Sequence, residues 1–273
     1  MNASDTPVPR RGALRAGAGA ALAGVLAAGC ADPDATTARP AGTRPDRASP
    51  ENPAAVAQRP PSPRPAPGPH RFPGLPVQID HGPRDRARVA LTFHGQGDPA
   101  IARTLLTEAE RAHARVTVLA VGSWLDEHPD MARRVLDGGH ELGNHTQHHT
   151  DISTMDEAAA YAEIDECARR LRRLTGSIGT WFRPSRARDA TPLVRRLAAR
   201  AGYPHVLSYD VDSLDFTSPG AAAVTRKVAG EIRNGSVVSL HFGYADTVAA
   251  LPLLLTEIDR RGLRAVTTTE LLT

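Results

Sequence analysis

Residues 89–121 read VALTFHGQGDPAIARTLLTEAERAHARVTVLAV. The stretch opens on a short apolar run (89–93) and passes through a Gly-rich polar link to Asp98-Pro99. It continues as a helical pattern near 100–113 and closes on a second apolar run, 116–121. Outward from it the alternation repeats. Further strand-like runs lie at 206–209, 237–240 and 265–267, with weaker candidates at 140–143 and 180–182. Helical patterns fall near 124–137, 156–174, 191–201, 220–233 and 247–261. Several helix ends are legible. Thr154 and Glu157 have capping-box spacing, and Gly176 follows the last turn. Thr191-Pro192 supplies a cap and a first-turn proline, and Gly202 ends that helix. Seven strands alternating with helices predict an α/β fold with parallel pairing, either a barrel or a doubly wound sheet. In both, chemistry belongs at the C-terminal ends of the strands.

Composition places this unit in the chain. Of 273 residues, 41% are apolar and 23% charged, enough to bury a core. Of the 23 prolines, 13 fall between Cys30 and Pro76, where no apolar run occurs. That predicts a Pro-rich disordered linker over 30–83 and one folded domain over 84–273. The net charge of +3 does not mark a nucleic-acid binder. Arg10, Arg11 and Arg15 against Asp5 give +2 of it, so the rest carries 3 − 2 = +1 with no concentrated basic patch.

The N-terminus reads as an address. Arg10-Arg11 precedes an Ala/Gly-rich apolar stretch, 16–28. As a helix it would span only about 20 Å, short of a ~30 Å hydrocarbon core, so it reads as a secretory signal and not a membrane span. Leu26-Ala27-Ala28-Gly29-Cys30 resembles a bacterial lipobox. That resemblance implies a signal peptide over 1–29, lipidation of Cys30 and an extracytoplasmic domain anchored to the cell membrane. Two acyl chains suffice for stable anchoring. The other cysteine, Cys167, lies in an apolar stripe with Ile164, Leu171 and Leu174 and reads as an inert core residue.

Five strand ends carry chemistry-bearing residues. They are Thr92-Phe93-His94-Gly95-Gln96-Gly97-Asp98, Gly143-Asn144-His145-Thr146-Gln147-His148-His149, Trp181-Phe182-Arg183-Pro184, Asp212-Ser213-Leu214-Asp215-Phe216, and His241. Convergent polar groups on one face mark an active site. No G-x-S-x-G elbow and no Gly-rich phosphate fingerprint with a following lysine occurs, which argues against a serine hydrolase or a nucleotide binder.

From about Arg88 onward these motifs resemble the NodB-type polysaccharide deacetylases, carbohydrate esterase family 4. The most specific piece is Gly139-His140-Glu141-Leu142-Gly143-Asn144-His145-Thr146-Gln147-His148-His149, similar to the family's H-[ST]-x-x-H motif with its usual lead-in. The resemblance implies a distorted (β/α) barrel and a divalent metal, zinc first. The implied reaction is removal of acetyl groups from N-acetylated polysaccharide such as peptidoglycan or a chitin-like glycan. By the same resemblance His145 and His149 are metal ligands, His241 is the general acid, Asp215 holds it, and Arg183 positions the catalytic base. Neutral imidazoles suit zinc, and a bound cation acidifies water and polarises a carbonyl.

Departures from the family pattern fall on the same site. The T-F-D-D motif reads His94 and Gly95 at its two carboxylate positions. The third motif continues Arg183-Pro184-Ser185-Arg186, Phe216 stands for the usual Trp, and Ser239 stands for Leu in L-x-H. Two expectations follow. In a working variant, His94 is the base at neutral pH and Asp98 replaces the lost carboxylate ligand. The alternative for Asp98 is the N-cap before Pro99. In the other reading, hydrolysis is lost and the domain binds cell-wall glycan. Retention of His145, His149, Arg183, Asp215 and His241 favours the enzyme. His113, His128, His140, His148 and His205 read as structural, and Asp212 as a second acceptor or a loop cap.

Overall fold

The computed structural model describes residues 65–273. The expectations at 1–29, at Cys30 and over 30–64 lie outside the described residues. The organising strand is β2 (Arg88–Gly95), which alternates between two faces. Val89, Leu91 and Phe93 join the core beneath the helices, while Ala90 joins a second cluster on the opposite, inner face with Leu119, Trp181 and Val237. With a side-chain period of two, Thr92 and His94 follow Ala90 along that inner face.

Parallel strands flank β2 on both sides. β3 (Thr117–Ala120) and then β4 (Glu141–Asn144) lie on one side, and β7 (Val237–His241) and then β6 (Val211–Asp212) on the other. β8 (Arg264–Val266) pairs with the start of β2, and β1 (Gln78–Ile79) pairs with β5 (Val206–Leu207). Single bridges from Asn144 to Phe182 and from Phe182 to Val206 carry the pairing from β4 towards β5. The α/β class and parallel pairing stand as expected, although among the described residues the ladder is not closed into a complete barrel.

The helices are α1 (Pro99–Arg111), α2 (Gly122–Glu127), α3 (Asp130–Asp137), α4 (Glu157–Thr175), α5 (Pro192–Ala201), α6 (Ala221–Glu231), α7 (Ala245–Arg260) and α8 (Thr268–Leu272). The single helix expected near 124–137 is two, because Pro129 forces His128 out of helical geometry and cannot donate a backbone bond. The cap of α4 is Asp156, whose carboxylate accepts the Ala159 N–H at 2.8 Å; Thr154 lies instead in a one-turn 3₁₀ segment. Gly176 and Gly202 end their helices in the left-handed region, and Thr191 caps α5, as the sequence indicates. None of the helices among the described residues is long and apolar enough to cross a membrane.

The linker boundary shifts. Residues 65–83 are packed onto the domain instead of running free. Phe72 is buried and stacks on Trp181 at 5.7 Å, and its N–H donates to His205 Nε2 at 3.0 Å. His205 Nδ1 donates in turn to Pro76 O at 2.8 Å. The segment seals the inner face at the end opposite the strand termini that carry the motifs.

Candidate active site

Register builds the centre of the site. β2 and β7 pair Thr92 with Ser239 and His94 with His241. The inner face between them therefore rises in layers: Ala90 and Val237 as an apolar floor, Thr92 and Ser239 above it, and the two histidines at the rim. The rings of His94 and His241 stack at 4.2 Å with 16° between their planes. Ser239 Oγ lies 2.9 Å from His94 Nε2.

Arg183 fills the middle layer. It is fully buried, and its guanidinium donates to Leu207 O, Thr92 Oγ1 (2.9 Å) and Ser208 O (3.0 Å), with Nη1 3.4 Å from His94 Nε2. Burial lowers its pKa to about 10. Its carbonyl accepts from His145 Nδ1 at 3.0 Å, which leaves His145 Nε2 as the open nitrogen.

The loop after β4 supplies two more imidazoles. Thr146 and His149 both adopt positive φ, 69° and 57°, a conformation that costs energy in a non-glycine residue. Local bonds hold it. Asn144 Oδ1 accepts the Thr146 N–H at 2.9 Å, and Thr146 Oγ1 accepts the His149 N–H at 3.2 Å. Glu163 clamps His148 from outside through its N–H (2.8 Å) and Nδ1 (2.7 Å). The outward pinning of His148 leaves His145 and His149 on the inward side, their rings 4.8 Å apart.

One ring nitrogen each from His94, His145 and His149 lies within 4.8 Å of the others. His94 Nδ1 faces His145 Nε2 at 2.7 Å. Burial, reinforced by neighbouring imidazoles and Arg183, holds the pKa values of His94 and His145 well below the ordinary imidazole value, so both are neutral at pH 7. Burial and Arg186 lower that of His149 as well. Neutral imidazoles are the form that ligates a metal. A tetrahedral ion with bonds of about 2.0–2.1 Å spaces its ligand nitrogens roughly 3.3–3.4 Å apart. The three nitrogens fit such an ion with small shifts.

Beside them stands a carboxylate–imidazole pair. Asp215 is fully buried; its Oδ1 accepts from His241 Nδ1 at 2.7 Å, and its Oδ2 from the His241 N–H (2.8 Å) and Thr247 Oγ1 (2.7 Å). Burial works against its ionisation, but these bonds together hold its pKa below the usual carboxylate value. Among the described residues His241 Nε2 has no hydrogen-bond partner, and the ring opens to a cleft of about 470 Å³, lined also by His94, Gln96, His149, Arg186 and Tyr244.

The structure brings His94, His145, His149, Arg183, Asp215 and His241 together. It does not bring Asp98, whose carboxylate accepts the Ala100 N–H at 2.7 Å and caps α1, the alternative role, and which is not among the clustered groups. The expectation of His94 as base also meets an obstacle, since both its nitrogens already face partners. Asp212 is a loop cap, accepting the Leu214 N–H at 3.1 Å. Sequence reasoning singled out Ser239 as a departure but gave it no role, although it lies two residues before His241 on one strand face; it missed Thr247 and Tyr244, which lie beyond the strand and carry no spacing signal.

Comparison with known proteins identifies the family. The polysaccharide deacetylase family matches residues 81–206. A peptidoglycan-N-acetylglucosamine deacetylase of Bacillus cereus is 31% identical over 196 residues, covering 70% of this chain and 90% of that protein. The deacetylase PgdA of Listeria monocytogenes is 27% identical over 197 residues, covering 71% of this chain but only 41% of the longer relative. The fold superposes with a TM-score of 0.69 on a CE4 family pseudoenzyme from Bacillus anthracis, at 22% identity over 73% of this chain and 70% of that one. At 31% identity the similarity runs through nearly the whole Bacillus cereus protein, so the chain belongs to the polysaccharide deacetylase family.

Proposed function

We propose that this domain is a metal-dependent hydrolase that removes acetyl groups from an N-acetylated polysaccharide of the cell envelope. The supporting observation is one cleft lined by His94, His149 and His241, with the buried His145 bonded behind His94 and the buried Asp215 behind His241. His145 and His149 hold the cation, zinc first by the preference of imidazole donors. When bound, the cation polarises the acetyl carbonyl and acidifies a water molecule. Asp215 fixes the tautomer of His241 by accepting from Nδ1, which turns Nε2 towards the leaving amine to give it a proton. Arg183 fixes the inner wall by tying Thr92, Leu207 and Ser208 together beneath His94. Phe216, exposed and edge-on to His241 at 5.3 Å, gives apolar surface beside the acid.

The same reading places the domain outside the cell, tethered through a lipidated Cys30; its support is the sequence of 16–30 alone. Acetate release from peptidoglycan or N-acetylglucosamine oligomers by the full chain tests the reaction. Release should stop on chelation and return with zinc. No release from any N-acetylated glycan would sink it. A second reading, glycan binding without turnover, is favoured by Gly95, which removes a side chain from a position where the family carries a carboxylate. Glycan binding with no acetate release would select that reading. Replacing Cys30 with Ala should move the protein from membranes to the soluble fraction.

A further inference from the structure

Three departures from the family's motifs meet at one ring. His94 and Gly95 stand at the two first-motif carboxylates, and Ser239 at the apolar position of the last motif. The β2–β7 register sets Ser239 one layer beneath His94, its Oγ 2.9 Å from Nε2. We propose that His94 is a cation ligand through Nδ1, completing an all-imidazole site with His145 and His149, and that Ser239 positions it. The inference rests on the metal-dependent reading for the presence of a cation, and its test reads cation binding instead of acetate release.

A ligating histidine donates its other ring N–H to an acceptor, which fixes the tautomer. His145 meets this condition, because Nδ1 donates to Arg183 O and Nε2 keeps its lone pair. For His94 to offer Nδ1, its proton must sit on Nε2 and find an acceptor there. Arg183 Nη1, 3.4 Å away, is a donor and favours the opposite tautomer. Ser239 Oγ can accept, and the leucine of the family pattern could not. The replacement of an apolar residue by serine thus makes the ligating tautomer available.

Two other routes to a third ligand are closed. A Cβ on Gly95 would lie 2.9 Å from Val118 Cγ1 and 3.0 Å from Ala120 Cα, so this backbone has no room for a carboxylate at 95. Asp98 is committed to capping α1. His94 Nδ1, by contrast, already faces His145 Nε2 at 2.7 Å, with a His149 nitrogen in the same cluster. Three imidazoles bring no negative charge. They favour ions that prefer nitrogen, such as zinc and cobalt, over magnesium and manganese, which prefer oxygen.

Equilibrium dialysis of the full, chelator-stripped chain against zinc, with cobalt absorption as the spectroscopic readout, tests the proposal. The wild type should bind one ion per chain and prefer zinc to magnesium. His94→Ala should weaken binding by more than the roughly 10–100-fold that losing a ligand's hydrogen-bond partner costs, and should abolish the cobalt bands. Ser239→Ala should cost about 10–100-fold and Ser239→Thr should restore most of it, while Asp98→Ala leaves affinity unchanged. Unaltered affinity and cobalt spectrum in His94→Ala would overturn the proposal. If that variant does not fold, full affinity in Ser239→Ala overturns the positioning role, and loss of affinity in Asp98→Ala overturns the ligand set. A wild type that binds zinc through His94 but releases no acetate would sink the hydrolase reading and leave this one standing. Acetate release with cation binding indifferent to His94 would do the reverse.

Discussion

His140 and His145 stand at the two ends of β4, one residue before it and one residue after. At the first end, every ring nitrogen is spoken for by structure. His140 Nδ1 accepts the Val116 N–H at 3.2 Å and Nε2 donates to Glu110 at 3.3 Å, which is itself bonded to Arg134. At the second end, His145 spends one nitrogen on Arg183 O and turns the other towards His94. The cavity at the His140 end is the larger of the two, about 620 Å³ against about 470 Å³. Yet its buried carboxylate, Glu141, is already bonded to Thr117 and the Thr269 N–H. Chemistry is marked by polar groups left with an open bond that neighbours hold in place. Volume and histidine content do not mark it.

The largest effect that could break this comparison is in turnover. His241→Ala should lower acetate release per folded molecule about 10²–10⁴-fold, the range for a positioned acid, and should also lower the melting temperature, because it takes a donor from the buried Asp215 carboxylate. His140→Ala should leave turnover per folded molecule within a small factor of wild type. Equal losses in both would mean that the two ends are not functionally distinct.

Next is the packing that seals the far end. Phe72 is buried against Trp181 and joins Ile79, Leu207 and Val266 in one cluster. Phe72→Ala should destabilise the domain by about 3–5 kcal/mol, measured by urea unfolding, while zinc affinity of the folded fraction holds. A loss below about 1 kcal/mol would return residues 65–83 to the role of linker.

The expectation of a linker there shows where sequence reading stops. Phe72, Val77 and Ile79 are apolar residues scattered among prolines, too sparse to make a period, and they are ordered by partners such as His205 that lie more than a hundred residues away. β1 and β6 span two residues each, below the length at which alternation carries information. The long elements were legible because each carries its own signal, as with the alternation of β2 and the Thr191 and Gly202 ends of α5. Cys167, expected as core from its helical stripe, is fully buried with its thiol pushed up to about 12 by burial. In the site, histidines at strand ends were legible as a group. The assignment of Asp98 turned on which way one carboxylate points, and a loop sequence that satisfies both a cap and a ligand role cannot decide that.

The smallest effect concerns protons at the His140 end. Burial outweighs Glu110 and lowers the pKa of His140 below the ordinary imidazole value of about 6.5. Above that pH the ring is neutral in both folded and unfolded chains and contributes no pH dependence. As pH falls through it, the unfolded chain takes up a proton that the folded one refuses, so stability declines by up to about 1.4 kcal/mol per pH unit until the folded pKa is reached. His94 and His145 carry the same sign, so the measurement is a difference between wild type and His140→Gln. Glutamine can accept the Val116 N–H and donate to Glu110 without titrating. Urea-unfolding stabilities of the two chains should differ by a constant above about pH 7, and the wild type should fall more steeply below about pH 6.5. Parallel curves would show that His140 takes up its proton over the same pH range in the folded and the unfolded chain. The two ends of β4 would then differ in where their lone pairs point and not in how tightly their protons are held.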